Sequence, residues 1–389
     1  MKIVDVSAFY APKGGGVRTY VERKLAAGPA LGHEIVIIAP GERDEVVERG
    51  PGARIRYVAA PSFPLDRAYR YFDDPAALHR AIGAERPDHL EASSPWRSAE
   101  IVGAWPGAAP RTLFMHADPL AAYAYRWFGP IAPIPLIDRG FDWFWRHLRR
   151  LGARYDTVVA PSQALADRLA AGGVANVVAL PMGVEPNSFS PAFRDEALRA
   201  RLLAGCGLGP EAVLLVAAGR LAPEKRLPVL IEAATAAAAR HPIGLVIVGD
   251  GRERARVLRA IGGNPHIRLL PAVRERIRFA TLLASADALL HGCEAETFCM
   301  IGAEARASGL PVLMPDAGGA RDHAEQGAGL VYASGSPQAA AAAILSLADA
   351  LPTYRATALA RAGEVRTMDS HFAELFALQT ALSERRAAA

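Results

Sequence analysis

Short apolar runs alternate with amphipathic helical patterns along most of the chain. Strand-length runs fall at 2–6, 34–39, 54–58, 90–92, 111–115, 157–160 and 177–180. A second series follows at 213–218, 244–248, 267–270, 288–290, 311–314 and 330–332. Several are continuous Val, Ile and Leu stretches rather than alternating ones, as parallel strands buried on both faces require. Repetition of strand, helix and strand predicts doubly wound α/β sheets with helices on both sides. Two such series in 389 residues predict two domains of this kind.

The boundary is expected near Pro181-Met-Gly-Val-Glu-Pro-Asn-Ser-Phe-Ser-Pro191, where prolines and a glycine rule out both a helix interior and a central strand. This gives a first domain over 1–181 and a second over 182–367. The stretch 368–386 forms a closing helix with Phe372, Leu375, Phe376 and Leu382 on one face, free by its pattern to pack on either domain, the first included. Ligands of open α/β sheets bind outside the carboxyl ends of the strands, so the residues that follow each strand are the candidates for chemistry.

Composition narrows the class of protein. Hydrophobic residues make up 51% and charged residues 22%, a globular balance. Lys and Arg exceed Asp and Glu by only 44 to 40, net +4, which argues against nucleic acid as a partner. Cys206, Cys293 and Cys299 form no CxxC pair and have no His-rich run beside them. They read as free thiols of a reducing cytoplasm, and no metal site is expected. The first residues enter a strand without the apolar core of a signal peptide, and no segment reaches the roughly 20 apolar residues of a membrane span. The expected location is cytoplasmic, either free or peripheral on the inner face of the cell membrane.

Four segments carry candidate chemistry. Gly14-Gly15-Gly16-Val17-Arg18 follows the first strand, where backbone N–H groups and a helix start suit a phosphate, or where the glycines make only a flexible turn. The run lacks the GxGxxG spacing and the acidic residue of a dinucleotide site. Gly219-Arg220-Leu-Ala-Pro-Glu224-Lys225 places two cations after a strand, matched to a departing diphosphate, or simply solvated with Glu224 as partner. Val248-Gly249-Asp250-Gly251 allows a tight turn close to a ligand and equally an ordinary strand-to-helix connection. In Glu294-Ala-Glu296-Thr-Phe-Cys-Met-Ile-Gly-Ala-Glu304, a helix starting near Phe298 would leave Glu296 in the loop before it and Glu304 two turns along it. Carboxylates among apolar neighbours need partners, and sugar or ribose hydroxyls are one kind; a cap and a surface residue are the plainer alternative.

Taken together and in order, Pro181-x-Gly183-Val184-x4-Phe189-x-Pro191, Gly219-Arg220-x4-Lys225, Val248-Gly249-Asp250-Gly251 and Glu296-x7-Glu304 resemble the family 4 retaining glycosyltransferases of the GT-B fold, across nearly the whole chain. The resemblance implies two Rossmann-like domains facing across a cleft, the first for an acceptor and the second for a nucleotide-sugar donor. It implies a hexosyltransferase moving a hexose from a UDP- or GDP-linked sugar to a lipid or glycan, with retained configuration and no cofactor. By position, Glu296 would contact donor-sugar hydroxyls with the amides of Phe298 and Cys299, and Glu304 would hold the ribose. Arg220 and Lys225 would neutralise the leaving diphosphate in place of a metal, and His116 would be the cleft histidine. Gly15, Gly16 and Gly251 would lie near the donor, and the backbone at Ala272 and Val273 near the base. Two departures bear on the sugar. Thr297-Phe298-Cys299 stands where Pro-Phe-Gly is usual, so that Cys299 gives up glycine's freedom and narrows the donor pocket, and His291-Gly292-Cys293 replaces the usual Pro-Ser.

The acceptor side is less determined. In 139–155, Phe141, Phe144, Trp145, Leu148 and Leu151 share a helical face, while Arg139, Arg146, Arg149 and Arg150 lie off it and Arg154 follows. Such a helix either binds an anionic membrane surface or packs its stripe on the sheet. Tyr123, Tyr125, Trp127 and Phe128, with the Pro-rich 129–135, would line an acceptor site or simply pack. A GT-B-fold sugar-nucleotide epimerase and a non-catalytic nucleotide-sugar or membrane-surface binding protein are the competing readings.

Overall fold

Apolar runs of this kind form strands with side chains buried on both faces. The structure, a computed structural model, describes residues 1–10, 16–64, 69–129 and 131–388. Among the described residues the strands form two sheets. In the first, β1 (Lys2–Val6), β2 (Glu34–Gly41), β3 (Glu45–Gly50), β4 (Ala53–Ala59), β5 (His89–Ser93), β6 (Arg111–Phe114), β7 (Thr157–Ala160) and β8 (Val177–Ala179) lie in the order β3-β4-β2-β1-β5-β6-β7-β8. Neighbours are parallel throughout except β3 and β4. β3 has no counterpart among the expected strands. It is a mostly exposed edge strand, Glu-Val-Val-Glu-Arg-Gly, that buries neither face and so carries no apolar signature.

The second sheet joins β9 (Val213–Ala218), β10 (Ile243–Val248), β11 (Ile267–Leu270), β12 (Ala288–Leu290), β13 (Val312–Pro315) and β14 (Gly329–Tyr332), all parallel, in the order β11-β10-β9-β12-β13-β14. Its strands feed two cores. Val213, Leu215 and Ala217 of β9 join Leu245 and Ile247 of β10 against helices Leu227–Ala238 and Pro337–Asp349. Leu214 and Val216 join Val246 and Val248 on the opposite face, against helix Met300–Ala307. That two-sided burial explains why these runs show no alternation.

The chain divides into two compact units, one of residues 1–118, 127–181 and 368–389, the other of 119–126 and 182–367. Within the second unit the strand-linking ends run side by side: Val184 bridges Thr367, and a Cβ on Gly183 would lie 2.2 Å from the Thr367 carbonyl carbon. Helix Met368–Ala388 belongs to the first unit, burying Phe372, Leu375 and Phe376.

Candidate active site

The strand order of the second sheet reverses at β9, which pairs with β10 on one side and β12 on the other. The carboxyl ends of the strands at such a switch point are where open α/β sheets bind ligands. The loops after β9 and β10 are packed on one another. A Cβ at Gly249 would fall 1.9 Å from the Gly219 oxygen, and one at Gly251, with φ +155°, would fall 2.4 Å from the Leu221 oxygen. Gly251 is thus required by loop-on-loop packing. A turn at Pro223–Lys225, followed by Arg226 at φ +47°, then directs two cations toward the loop after β12. Lys225 Nζ bonds the Glu296 carboxylate and Arg226 bonds that of Glu294.

His291 and Cys299 complete the cluster. Nε2 of His291 is 3.4 Å from Glu296 Oε1, long for a hydrogen bond. His291, Glu296 and Cys299 each bring a ligand atom to within 4.8 Å of the others, a grouping able to hold a cation, although the Lys225 ammonium already stands against its carboxylate. Burial by itself would raise the Glu296 carboxyl, but the charge of Lys225 and the contact with His291 hold it well below the usual carboxylate range. Burial likewise opposes the charge on Lys225, and Glu296 overcomes it, holding the amine above its ordinary value. Burial keeps His291 toward its neutral form and pushes the Cys293 thiol up to about 12. The pair is therefore fully ionised at neutral pH, and the thiols beside it are protonated.

Helix Met300–Ala307 starts two residues later than the position near Phe298 that the sequence predicts. Cys299 takes φ +71°, the left-handed conformation a glycine would adopt, and ends the loop there. Expected to forgo glycine's conformation, the chain keeps it with a buried thiol at that position. Glu304 is buried on this helix, with Arg276 Nη2 3.7 Å away and the Arg276 guanidinium 5.0 Å from the centre of the Phe189 ring. Burial raises the Glu304 carboxyl to about 7 against the smaller opposing effect of Arg276. Phe298 is buried, and Val273 is half-buried in the loop after β11. Arg220, 74% exposed, is held 3.2 Å from Glu224 and contacts neither Lys225 nor Glu296 in these bonds.

In the first unit, His116 follows β6, half-buried, with its ring stacked 4.3 Å from Phe114 and edge-on to Tyr20 at 4.7 Å. Burial, with Lys24 and His371 nearby, drives its pKa down to about 3, so the imidazole is neutral. Gly16 is the exposed first residue of helix Gly16–Ala30, and Gly15 lies outside the described residues.

The basic segment is two helices, Ile134–Gly140 and Asp142–Gly152, rather than one over 139–155. Its aromatic stripe is core: Phe144, Trp145, Leu148 and Leu151 are buried, and Trp145 Nε1 donates to Asp138 at 3.0 Å. These residues therefore do not serve as surface anchors. A different apolar set is exposed in the same unit: Ile131 (81%), Trp127 (59%), Trp143 (57%), Ile134 and Leu136, beside exposed Arg139, Arg146 and Arg150. No helix among the described residues is long and apolar enough to cross a membrane.

The partnership of Arg226 with Glu294, the place of His291 at Glu296 and that of Arg276 at Glu304 are additions to the sequence reading. His291 had a signal, standing immediately after a strand; the two ion pairs join residues 68 and 28 positions apart and had none.

Two doubly wound α/β units, the second with the Lys225–Glu296 pair beyond its sheet's strand ends, form the GT-B fold. The "Glycosyltransferase Family 4" description matches residues 14–188 and "Glycosyl transferases group 1" matches 212–350. A GDP-mannose-dependent alpha-mannosyltransferase of Mycobacterium tuberculosis is 33% identical over 328 residues, covering 83% of this chain and 81% of its own. A GDP-mannose-dependent alpha-(1-6)-phosphatidylinositol dimannoside mannosyltransferase of the same organism is 30% identical over 387 residues, 98% of this chain and 97% of its own. Sucrose-phosphate synthase of Thermosynechococcus elongatus shares the fold at 16% identity, with a TM-score of 0.75 over 98% of this chain and 99% of that one. The chain belongs to the family 4 glycosyltransferases and acts on nucleotide sugars.

Proposed function

We propose that the chain transfers mannose from GDP-mannose, with retention of the α configuration, to a lipid or lipid-linked glycan. The GDP-mannose-dependent, α-forming relatives support the donor and the stereochemistry. The observation that carries the reading is the half-buried Lys225–Glu296 pair at the switch point of the second sheet. In this reading Glu296 grips sugar hydroxyls with the Phe298 and Cys299 amides beside it, and Glu304 accepts from the ribose. Lys225, with Arg220 swinging in from solvent, stabilises charge on the departing diphosphate, so no metal is needed. His116, neutral, offers a hydrogen bond to the donor sugar, and Gly16, Gly251 and Val273 approach the donor through backbone. Glu296→Gln should abolish GDP release from GDP-mannose with an unchanged melting temperature; turnover within a few-fold of wild type removes Glu296 from the site.

The exposed Trp127, Ile131, Ile134, Leu136 and Trp143, with Arg139, Arg146 and Arg150, form an anionic-membrane contact in this reading, placing the enzyme peripherally on the inner face of the cell membrane. Sedimentation with phosphatidylglycerol vesicles, and not with phosphatidylcholine vesicles, should be lost in a Trp127→Ser/Ile131→Ser/Ile134→Ser variant. Equal sedimentation of wild type and variant sinks the assignment.

A further inference from the structure

The loop carrying Glu296 is tied from behind by one short helix. Gly319 N–H, at the start of helix Gly319–Glu325, donates to the Glu296 carbonyl at 2.7 Å. A Cβ on Gly319 would lie 2.5 Å from the Thr297 oxygen, so the helix approaches this closely only as glycine. One turn on, buried His323 places Nε2 2.7 Å from the Phe298 carbonyl, its ring edge-on to that of Phe298. Its other nitrogen, Nδ1, faces Arg306 Nη1 at 3.4 Å. A guanidinium only donates, so Nδ1 accepts, and the imidazole proton must sit on Nε2 and point at Phe298. Helix Met300–Ala307 passes over the same ring at Gly302, where a Cβ would come 2.8 Å from the imidazole.

The peptide group is planar and trans, so fixing the Phe298 carbonyl toward His323 turns the Cys299 N–H to the opposite side. Cys299 then enters the left-handed region, and the free N–H groups of the helix start follow. We infer that His323 is a positioning residue for donor binding: its Nε2–H, with the tautomer set by Arg306, holds the Phe298–Cys299 peptide in the orientation that presents the loop's amides to the nucleotide sugar. Burial, and Arg306 after it, lower the His323 pKa to about 4, so this single neutral tautomer persists across the working range.

The inference rests on reading 294–299 as the donor loop, and the Glu296→Gln variant tests that reading separately. His323→Phe keeps ring volume and removes the donor. It should lower kcat/KM for GDP release from GDP-mannose by about ten- to hundredfold, the scale of a misplaced contact, while GDP alone binds within twofold of wild type. His323→Gln, whose amide reaches the position of Nε2, should restore most of the loss. Equal behaviour of the Phe and Gln variants, or matched losses for GDP and GDP-mannose, overturns the inference and leaves His323 a packing residue. Nitrogen-15 spectra of labelled histidine need no variant: the Nε2–H tautomer is expected, and an Nδ1–H tautomer refutes it. If Glu296→Gln is fully active, the donor-loop reading has failed instead.

Discussion

Two lysine–carboxylate clusters, one in each unit, show what access does to the same chemistry. In the first unit Lys24 contacts Asp5 of β1 at 2.9 Å and Glu91 of β5 at 2.7 Å, and all three side chains are fully buried. Ser93 donates to Asp5 at 3.1 Å, and Gln379 of the closing helix donates to Glu91 at 2.5 Å. In the second unit the Lys225 and Glu296 side chains keep 21% and 20% of their exposure and stand at the strand ends. The sealed cluster joins two strands, helix Gly16–Ala30 and the closing helix, out of reach of solvent. The open pair sets one carboxylate against its lysine rather than two, and solvent reaches both partners. Burial raises the Glu91 carboxyl to about 7 despite Lys24, whereas Lys225 and His291 hold Glu296 ionised. Close lysine–carboxylate contact is common to both clusters; exposure separates a sealed lock from a candidate site.

The comparison breaks most sharply on its lysines. Lys24→Met leaves two buried carboxylates without their cation and should cost about 3–5 kcal/mol of stability, read as a large fall in the denaturation midpoint. Lys225→Ala should reverse the pattern. Turnover should drop by about 10²–10³, as for a lost charge-stabilising donor, with a midpoint far closer to wild type than that of Lys24→Met. Equal midpoints for the two variants would erase the distinction between lock and site.

Glu304 sharpens the comparison through pH. Its carboxyl titrates at about 7 in the free protein, and ribose hydroxyls donate best to the ionised form. Nucleotide affinity should therefore fall as pH drops below 7, by at most about tenfold per unit, the limit for one coupled proton. Glu304→Gln should bind more weakly and with a flat profile, which isothermal titration across pH 5.5–8.5 would show. The sign for folding is the opposite. A carboxyl raised from 4.5 to about 7 favours the native state at low pH, and that contribution is lost as pH rises from the unfolded value through 7. The smallest effect is expected at Cys299, where Cys299→Gly relieves a left-handed non-glycine residue. It should raise stability by about 1 kcal/mol, while altering the preference among GDP-hexoses if the thiol shapes the sugar pocket.

The strands were legible wherever a strand is buried on both faces, because continuous Val, Ile and Leu runs have few other uses in a protein of this size. The exposed edge strand β3 left no trace for the converse reason. Lys225, Glu296 and Glu304 stood out as candidates because each follows a strand or lies on the helix just after one, and the end of a strand in a parallel sheet is where ligands bind. Lys24, Asp5 and Glu91 did not, since nothing local in Lys-Leu-Ala-Ala, Ile-Val-Asp-Val or His-Leu-Glu-Ala says that the three residues meet. The aromatic stripe of 141–151 gave the right face but not its destination, because periodicity reports that a face is apolar and not what covers it.

By itself, then, the sequence determined the class of fold, the position of the loops after the strands and the residue types they carry, all properties of spacing along one chain. Tertiary structure alone decided which charges meet, which are sealed and which stay open. It paired Arg226 with Glu294, turned the Phe298 carbonyl to His323, buried Trp145 and exposed Ile131. Those outcomes depend on contacts between residues far apart in the chain and on the desolvation that packing imposes, and neither quantity is written in a local pattern.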